Sequence, residues 1–372
     1  MFRIEPAVQR YDWGDPHQLP ELLGFTPDGG PYAEAWWGAH GAAPALADGK
    51  RLDDVIAAAP GELLGERVVN EFGRLPFLLK VLAISKPLSI QVHPTRAQTA
   101  SIQQEYAGGD SPLADDWHKP ELVVALSPMR LQSGFRPMRD TAADLRILGG
   151  AIAERLADVV DRGEIDEYVE TVLTEPDARE LLDLLAAADL AGHGSPVLRA
   201  AANAARIHPG DPGALVSLAL NVVELQPGQG LYTGAGVMHC FHSGLGLEIM
   251  ANSDNVLRAG LTTKPINVPL VLELATPLAT EPALTAQAGD ETSWTYLSPA
   301  QEFQLMLVSE GAGLSHAGPR IVLAVDGAVR IDAASGGLDL AAGQAAFVAD
   351  ADGPITVTAQ GMAAVASVPP AL

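Results

Sequence analysis

Hydrophobic and polar positions alternate along residues 87–94, PLSIQVHP. The apolar positions are Leu88, Ile90 and Val92. Between them stand three polar residues, Ser89, Gln91 and His93. Because side chains alternate across a strand, the apolar and polar sets are predicted to lie on opposite faces. Burying the polar set without partners would cost a few kcal/mol, so its face is expected to meet water or a polar partner.

The period of the pattern changes twice along the chain. Residues 1–137 carry short apolar runs punctuated by Pro and Gly, which indicates strands and loops. From Arg139 the apolar residues follow helical spacing, at Leu145, Leu148, Ile152, Leu156 and Val159. We therefore predict a helical insertion over 140–215, with His193 and His208 in surface loops. The β pattern returns at Val216.

An internal similarity predicts two copies of one β module. LQPGQGLYTGAGVMH aligns with LAAGQAAFVADADGP, and His239 of the first segment corresponds to Pro354 of the second. Only the first module is therefore expected to hold a metal. The predicted fold is mainly β with three domains: a discontinuous jelly roll (1–139 and 216–275), a helical insertion (140–215) and a metal-free jelly roll (276–372).

Charge and composition limit the partners. The formal net charge is -23, which disfavours nucleic acid and anionic membranes because both would be repelled. The absence of a long apolar run or a signal-peptide core leads us to expect a cytoplasmic protein. Only five of the 23 basic residues are lysine. Four of them, Lys80, Lys86, Lys119 and Lys264, fall in unusual segments, which favours a need for compact positive charge there.

Three segments supply residue types that bind metals. One contains Gln91 and His93, the second contains Glu121 two residues after Lys119, and the third contains His239. Two imidazoles, a carboxylate and an amide oxygen suit a divalent ion. With a single anionic ligand, the dication would keep a net charge of about +1 and would suit Lewis-acid chemistry better than redox chemistry. His-x-Pro is also common in cores and turns, so residue types alone leave the metal site open.

Five motifs occur in a recognisable order. They are YDWG (11–14), AEAWWGAHGAAPA (33–45), LPFLLKVLAISKPLSIQVHP (75–94), HKPELVVAL (118–126) and GLGLEIMANSDNVLRAGLTTK (244–264). Together they resemble type I mannose-6-phosphate isomerase, the zinc-dependent phosphomannose isomerase of the cupin superfamily. The resemblance implies a cupin catalytic domain. It also implies one Zn²⁺ per chain, with the ligands Gln91, His93, Glu121 and His239.

The resemblance further implies the catalytic groups. Arg258 corresponds to the essential arginine of the family. Lys119, Glu248 and Asp254 correspond to its candidate proton-transfer residues, and the sequence does not choose among them. Each has a structural alternative: Glu248 facing solvent, Asp254 forming a turn, and Lys119 pairing with a neighbouring aspartate, Asp115 or Asp116.

Substrate contacts are predicted around these groups. The resemblance assigns the substrate phosphate to Ser89, together with Lys80, Lys264 or Arg258. Trp13 and Glu34 are candidates for contacts to the sugar, with core packing as the alternative for the tryptophan. In three places the chain departs from the family pattern. Cys240 and Phe241 follow the ligand histidine, TTK stands where the family has TPK, and the WW of AEAWWGAH is unusual.

The predicted function is the reversible isomerisation of mannose 6-phosphate and fructose 6-phosphate. This aldose–ketose isomerisation moves protons through a cis-enediol, with a small sugar phosphate as the partner and a monomer as the expected state. Two alternatives are a catalytically silent sugar-phosphate-binding cupin and an iron-dependent cupin oxygenase. The acid/base candidates argue against the first, and the extra ligand Gln91 argues against the second.

Overall fold

The computed structural model describes residues 1–107, 109–188 and 194–370. His193, predicted to lie in a surface loop, falls outside these ranges. Within them, no helix is long and apolar enough to cross a bilayer.

The first third of the chain alternates short strands and helices. Its elements are β1 (Phe2–Ile4), β2 (Ala7–Gln9), α1 (Gln18–Leu23), β3 (Glu34–Gly38), β4 (Leu46–Ala47), β5 (Lys50–Arg51), α2 (Leu52–Ala58), α3 (Pro60–Phe72), β6 (Phe77–Ile84), β7 (Ile90–Val92), α4 (Arg96–Glu105), β8 (Glu121–Ala125) and β9 (Met129–Phe135). A run of helices follows: α5 (Met138–Leu148), α6 (Ala151–Asp161), α7 (Ile165–Thr174), α8 (Ala178–Ala187), α9 (Pro196–Ile207) and α10 (Gly213–Ser217).

Strands dominate again in the rest of the chain. A first group comprises β10 (Leu220–Leu225), β11 (Gly230–Thr233), β12 (His239–Ala251), β13 (Leu257–Gly260), α11 (Val268–Leu274) and β14 (Ala283–Leu284). A second group comprises β15 (Gln287–Gly289), β16 (Ser293–Tyr296), β17 (Gln304–Val308), β18 (Gly311–Leu314), β19 (Arg320–Ala333), β20 (Gly336–Leu340), β21 (Ala345–Val348), a short 3₁₀ turn (Asp350–Asp352) and β22 (Ile355–Ser367).

Strand β12 joins the two sheets of the first jelly roll. Its residues 239–243 pair with β7 and β9, and its residues 244–251 pair with β6 and β8. The strand changes sheets at Gly244, where φ is +115° and a Cβ would lie 2.6 Å from Met129. Only glycine meets both demands. The two sheets enclose an apolar interior that includes Leu82, Val123, Leu131 and Phe241.

The helical insertion covers one outer face of this jelly roll. Ile90 and Val92 of β7 share a core with helix residues such as Leu156 and Leu198. Leu88 does not join them: it packs on the apolar interior instead. The prediction that Leu88 lies on the same face as Ile90 and Val92 is therefore wrong. The strand begins only at Ile90, so the two-residue period does not extend to Leu88.

The second jelly roll covers the opposite outer face. Its sheet follows the order β1-β21-β19-β22-β17-β16-β15. Trp37 and Leu79 of the first jelly roll share a core with Phe303, Ile321 and Phe347 of the second. Two strands cross the predicted boundaries, since β1 joins the second sheet and β14 pairs with β11 of the first. The first jelly roll thus lies between two packed layers, and its interior holds the polar residues described next.

Candidate metal and active site

Three metal-ligating side chains converge inside the first jelly roll. His93 follows β7, Glu121 begins β8 and His239 begins β12. All three are buried, and one ligand atom from each lies within 4.8 Å of the others. One oxygen of Glu121 is 3.2 Å from Nε2 of His93, and the other is 3.2 Å from Nε2 of His239. The fold therefore gathers two imidazoles and a carboxylate around one point.

Backbone carbonyls determine which nitrogen of each histidine faces Glu121. Nδ1 of His93 lies 2.7 Å from the carbonyl oxygen of Asn255, and Nδ1 of His239 lies 3.0 Å from that of Val237. A carbonyl oxygen only accepts hydrogen bonds, so each neutral ring carries its proton on Nδ1 and presents a lone pair at Nε2. Burial lowers the pKa of His93 to about 4, which keeps this ring neutral near pH 7.

The histidine lone pairs and the carboxylate of Glu121 form a set of ligands suited to a cation. Among the described residues, Nε2 of His93, Nε2 of His239 and Oε2 of Glu121 are buried without a hydrogen-bond partner. Unpaired buried polar atoms cost free energy, and a divalent ion would satisfy all three. Metal-bound histidines characteristically donate their other N–H to a carbonyl or carboxylate, as both histidines do here. The residues present therefore fit a divalent metal ion.

Gln91 adjoins this group on β7. It is directly opposite His239 of β12 on one side and Arg258 of β13 on the other. Directly opposed residues of antiparallel strands project to the same face. Gln91 is half-buried and lines the large cavity described below. Gln91 therefore lies beside the metal group.

The ammonium group of Lys119 lies against the metal group. Its Nζ is 2.8 Å from Oε1 of Glu121, and both side chains are buried. Burial opposes ionisation of Glu121, but Lys119, His93 and His239 together outweigh this effect and hold the pKa of Glu121 well below its usual value. The alternative pairing with Asp115 or Asp116 is not adopted, and Asp116 lies 3.6 Å from Arg74 instead.

Lys80 of β6 is buried between two carboxylates. Its Nζ lies 3.3 Å from Glu248 of β12 and 4.0 Å from Glu34 of β3, and 4.6 Å from the ring centre of Trp36. Trp36 also donates its indole N–H to Glu34 at 2.5 Å. Burial lowers the pKa of Lys80, but the charges of Glu34 and Glu248 outweigh burial and raise it overall. The ammonium is therefore charged and already paired.

Glu248 is a buried carboxylate of this cluster. It is 5% exposed, so the alternative of a solvent-facing carboxylate is wrong. Burial raises the pKa of Glu248 to about 7, against the lowering effect of Lys80. A carboxylate with such a pKa both accepts and returns a proton near pH 7.

Asp254 and Arg258 also line the large cavity. Oδ2 of Asp254 is 3.0 Å from Nε2 of His40, and this hydrogen bond lowers the pKa of Asp254. Arg258 is half-buried; burial lowers its pKa, while the charges of Tyr11 and Asp254 act in the opposite direction. Arginine keeps its charge in proteins, so Arg258 brings a cation to the cavity wall.

One cavity of about 1140 Å³ connects these groups. The predicted residues that line it are Trp13, Glu34, Lys80, Ser89, Gln91, Lys119, Glu121, Glu248, Asp254, Arg258 and Lys264. Glu121 also contacts both histidines, so the metal group adjoins the cavity. Three loops, 86–89, 207–212 and 261–264, form another part of its wall and contribute Lys86, Ser89 and Lys264. A polar anion such as a sugar phosphate would meet cations there.

Known proteins share the whole of this architecture. The protein-family model described as the catalytic domain of type I phosphomannose isomerase matches residues 1–138. The mannose-6-phosphate isomerase of Escherichia coli is 35% identical over 97% of this chain and 98% of its own length, and that of Schizosaccharomyces pombe is 31% identical over 96% and 97%. The chain belongs to the type I mannose-6-phosphate isomerase family.

Solved structures of the mannose-6-phosphate isomerase family agree. A crystal structure of a single-residue mutant of the Salmonella typhimurium phosphomannose isomerase has a TM-score of 0.90, 30% identity and 99% coverage of both chains. A mannose 6-phosphate isomerase crystallised with zinc and yttrium has a TM-score of 0.88, 29% identity and 98% coverage of both chains. The predicted family, the jelly-roll cupin fold and the class of aldose–ketose isomerase are confirmed.

One residue that lines the cavity and one that lies beside the site were not predicted from the sequence. His208, expected in a surface loop, is half-buried at the cavity wall with Nε2 3.2 Å from the carbonyl oxygen of Pro87. Glu302 of the second jelly roll is buried and accepts hydrogen bonds from Trp117 at 3.2 Å and His118 at 2.7 Å, directly beside Lys119. Neither residue stands in a periodic or motif context, so no local signal pointed to it.

Proposed function

We propose that this chain interconverts mannose 6-phosphate and fructose 6-phosphate with a zinc ion held by Gln91, His93, Glu121 and His239. One observation carries the proposal: two imidazole lone pairs and a carboxylate converge, unpaired, beside a cavity that also contains acid/base groups and cations. The choice of zinc is supported by the similar mannose 6-phosphate isomerase whose crystal structure contains zinc. When bound, zinc supplies Lewis-acid stabilisation of negative charge on substrate oxygens.

The reaction requires a group that moves a proton between C1 and C2. The buried Glu248, with a pKa of about 7, is the carboxylate whose environment suits this transfer best. Lys119 is the alternative, since its ammonium is buried beside the metal group and could exchange protons with substrate oxygens. Arg258 provides a fixed positive charge for an enediolate. Asp254 is paired with His40 and has a lowered pKa. It is therefore better suited to accepting hydrogen bonds from sugar hydroxyl groups than to abstracting a proton.

The phosphate is assigned to the wall formed by the three loops. Ser89 and Lys264 line this wall, and Lys86 lies in the same loop as Ser89. Lys80 was predicted to share this task, but its contacts favour another role because its ammonium is already neutralised by Glu34 and Glu248. We assign Lys80 to holding these two carboxylates in place.

Trp13 and Glu34 remain assigned to the sugar. Both line the cavity, and Glu34 is held by Trp36 through a hydrogen bond. The division into a catalytic jelly roll, a helical insertion over 140–215 and a metal-free jelly roll stays a proposal. A cytoplasmic location and a monomeric state likewise stay predictions.

A coupled assay tests the proposal directly. Purified protein is given mannose 6-phosphate, and fructose 6-phosphate is measured before chelation, after chelation and after zinc is restored. We expect turnover that disappears with the chelator and returns with zinc. Turnover by fully metal-free protein would overturn the metal assignment. Binding without turnover by zinc-loaded protein would support the silent sugar-phosphate-binding alternative.

A further inference from the structure

The loop that carries Lys264 contains a strained residue. Leu261 follows β13 and has φ of +53°, in the left-handed region that non-glycine residues rarely adopt. Its side chain is 3% exposed and packs in the core shared with the helices. Such a conformation persists only when the surrounding structure holds it.

Asp211, at the end of the helical insertion, holds this loop. Its Oδ1 accepts a hydrogen bond from the backbone N–H of Leu261 at 2.8 Å, and its Oδ2 accepts one from Thr262 at 2.8 Å. The same Oδ1 accepts a third from Gly213 at 2.8 Å. One side chain thus fixes the peptide units on both sides of Leu261.

The hydrogen bonds that fix the loop extend to Lys264. The hydroxyl of Thr262 accepts a hydrogen bond from the backbone N–H of Lys264 at 3.1 Å. The two backbones are also in direct contact, since a Cβ on Gly213 would lie 2.6 Å from Cα of Gly260. A shift of Asp211 would therefore be passed through Thr262 to the position of Lys264.

The location of Asp211 argues for a role beyond general stability. Asp211 lines the same cavity as Lys86, Ser89 and Lys264. A free carboxylate in that position would repel a phosphate group. Here the carboxylate accepts hydrogen bonds from three backbone N–H groups, which offset its negative charge. Its presence is therefore compatible with an anion nearby.

We propose that Asp211 is a positioning residue that holds the strained loop 261–264, so that the helical insertion sets the affinity for the substrate phosphate. The proposal rests on the proposed function, because it takes Lys264 as a phosphate contact. Asp211 acts through the loop and does not touch the reacting carbon atoms.

Asp211→Ala tests the proposal. Loss of charge-assisted hydrogen bonds is expected to raise KM for mannose 6-phosphate about tenfold, with kcat changed less than about twofold. The competitive inhibition constant of inorganic phosphate should rise with KM, and the zinc content should not change. Asp211→Asn keeps one oxygen for Leu261 and Gly213 but turns its amide towards Thr262, so it should fall between wild type and Asp211→Ala.

A double-mutant comparison and a control separate positioning from stability. Glycine accepts the left-handed conformation but removes the buried side chain of Leu261, so Leu261→Gly is made in both the wild-type and the Asp211→Ala backgrounds. Asp211→Ala should raise KM by a smaller factor in the glycine background than in the leucine background. Asp158→Ala, which removes an exposed carboxylate 3.2 Å from Arg146 in the same helical insertion, should leave KM unchanged.

Two results would overturn the proposal. One is an unchanged KM and phosphate inhibition constant in folded Asp211→Ala protein. The other is a fall in melting temperature and kcat with KM constant, which would mean a structural role only. If Asp211→Ala does not fold, Asp211→Asn decides by the same criteria. Failure of the proposed function is a different result, because wild-type protein would then not turn over mannose 6-phosphate at all.

Discussion

Replacing Glu248 by glutamine should make the stability of the metal-free protein fall less with rising pH while abolishing isomerisation. Glu248 is buried, and its pKa is raised from the usual 4.5 to about 7 by burial. Holding it ionised in the folded state therefore costs free energy that a neutral glutamine side chain does not require. The substitution keeps the shape of the side chain and an oxygen for Lys80. It also removes one of the two negative charges beside the Lys80 ammonium, so the quantity to test is the change in stability with pH and not the absolute stability.

The sign and size follow from proton linkage. A carboxyl group whose pKa is higher in the folded than in the unfolded state binds more protons when folded, so stability falls as pH rises between the two values. The loss begins near pH 4.5 and is complete above about pH 7. At about 1.4 kcal/mol per pKa unit it amounts to about 3 kcal/mol. The free energy of unfolding of Glu248→Gln relative to wild type should therefore rise by about 2–3 kcal/mol from about pH 5 to about pH 9.

Melting temperatures of chelated protein measure this effect. The difference between Glu248→Gln and wild type should increase by on the order of 5 °C between these two pH values. The matched control is Glu224→Gln, which alters a carboxylate of 60% exposure paired with Arg130 at 2.9 Å. Its melting temperature should differ from wild type by a small amount that varies little with pH.

The outcome also tests why the residue is present. A carboxylate that destabilises the fold at working pH is expected where function needs it. An equal difference between variant and wild type at both pH values would refute the reasoning about burial. Full isomerase activity in Glu248→Gln would instead refute its assignment as the proton-transfer group.

Three further predictions concern the metal, the enediolate and the second jelly roll. His239→Ala should lose both bound zinc, measured by elemental analysis, and isomerase activity; retained stoichiometric zinc would contradict the ligand assignment. Arg258→Ala should keep its zinc and lose at least about 100-fold in kcat, as expected for a group that stabilises developing charge. Turnover near the wild-type rate would remove Arg258 from the mechanism. Glu302→Ala should lower kcat because Trp117 and His118, next to Lys119, lose their common acceptor, whereas Glu302→Gln should recover much of the loss; an identical defect in both variants would mean that the hydrogen bonds do not matter.

Local sequence patterns determined much of the secondary structure and of the metal-ligand set of this protein. The alternation at 87–94 predicted a strand with a polar face, and Ser89 and Gln91 of that segment do line the cavity. The change to helical spacing predicted the insertion, because side-chain period reports which face of an element is buried. The ordered motifs predicted the family, and within it a ligand set whose two histidines and glutamate converge in the structure.

The same patterns could not predict how the polar residues are paired. Glu248 alternates with Leu247 and Ile249, which fits an exposed or a buried carboxylate equally well. Its burial follows from the closure of two sheets around it, and its neighbour Lys80 is supplied by a strand far away in the sequence. The role expected of Lys80 changed for this reason, since its partners are set by strand order and not by its own segment.

Contacts between layers were decided only by the tertiary structure. Asp211 meets Leu261 because the helical insertion returns to the edge of the jelly roll, and Glu302 meets His118 because the second jelly roll packs on the other side. Sequence sets the period of each element and the chemistry of each side chain. Which elements become neighbours depends on the packing of apolar faces across the whole chain, and this packing determines the pKa of Glu248 and the position of Lys264.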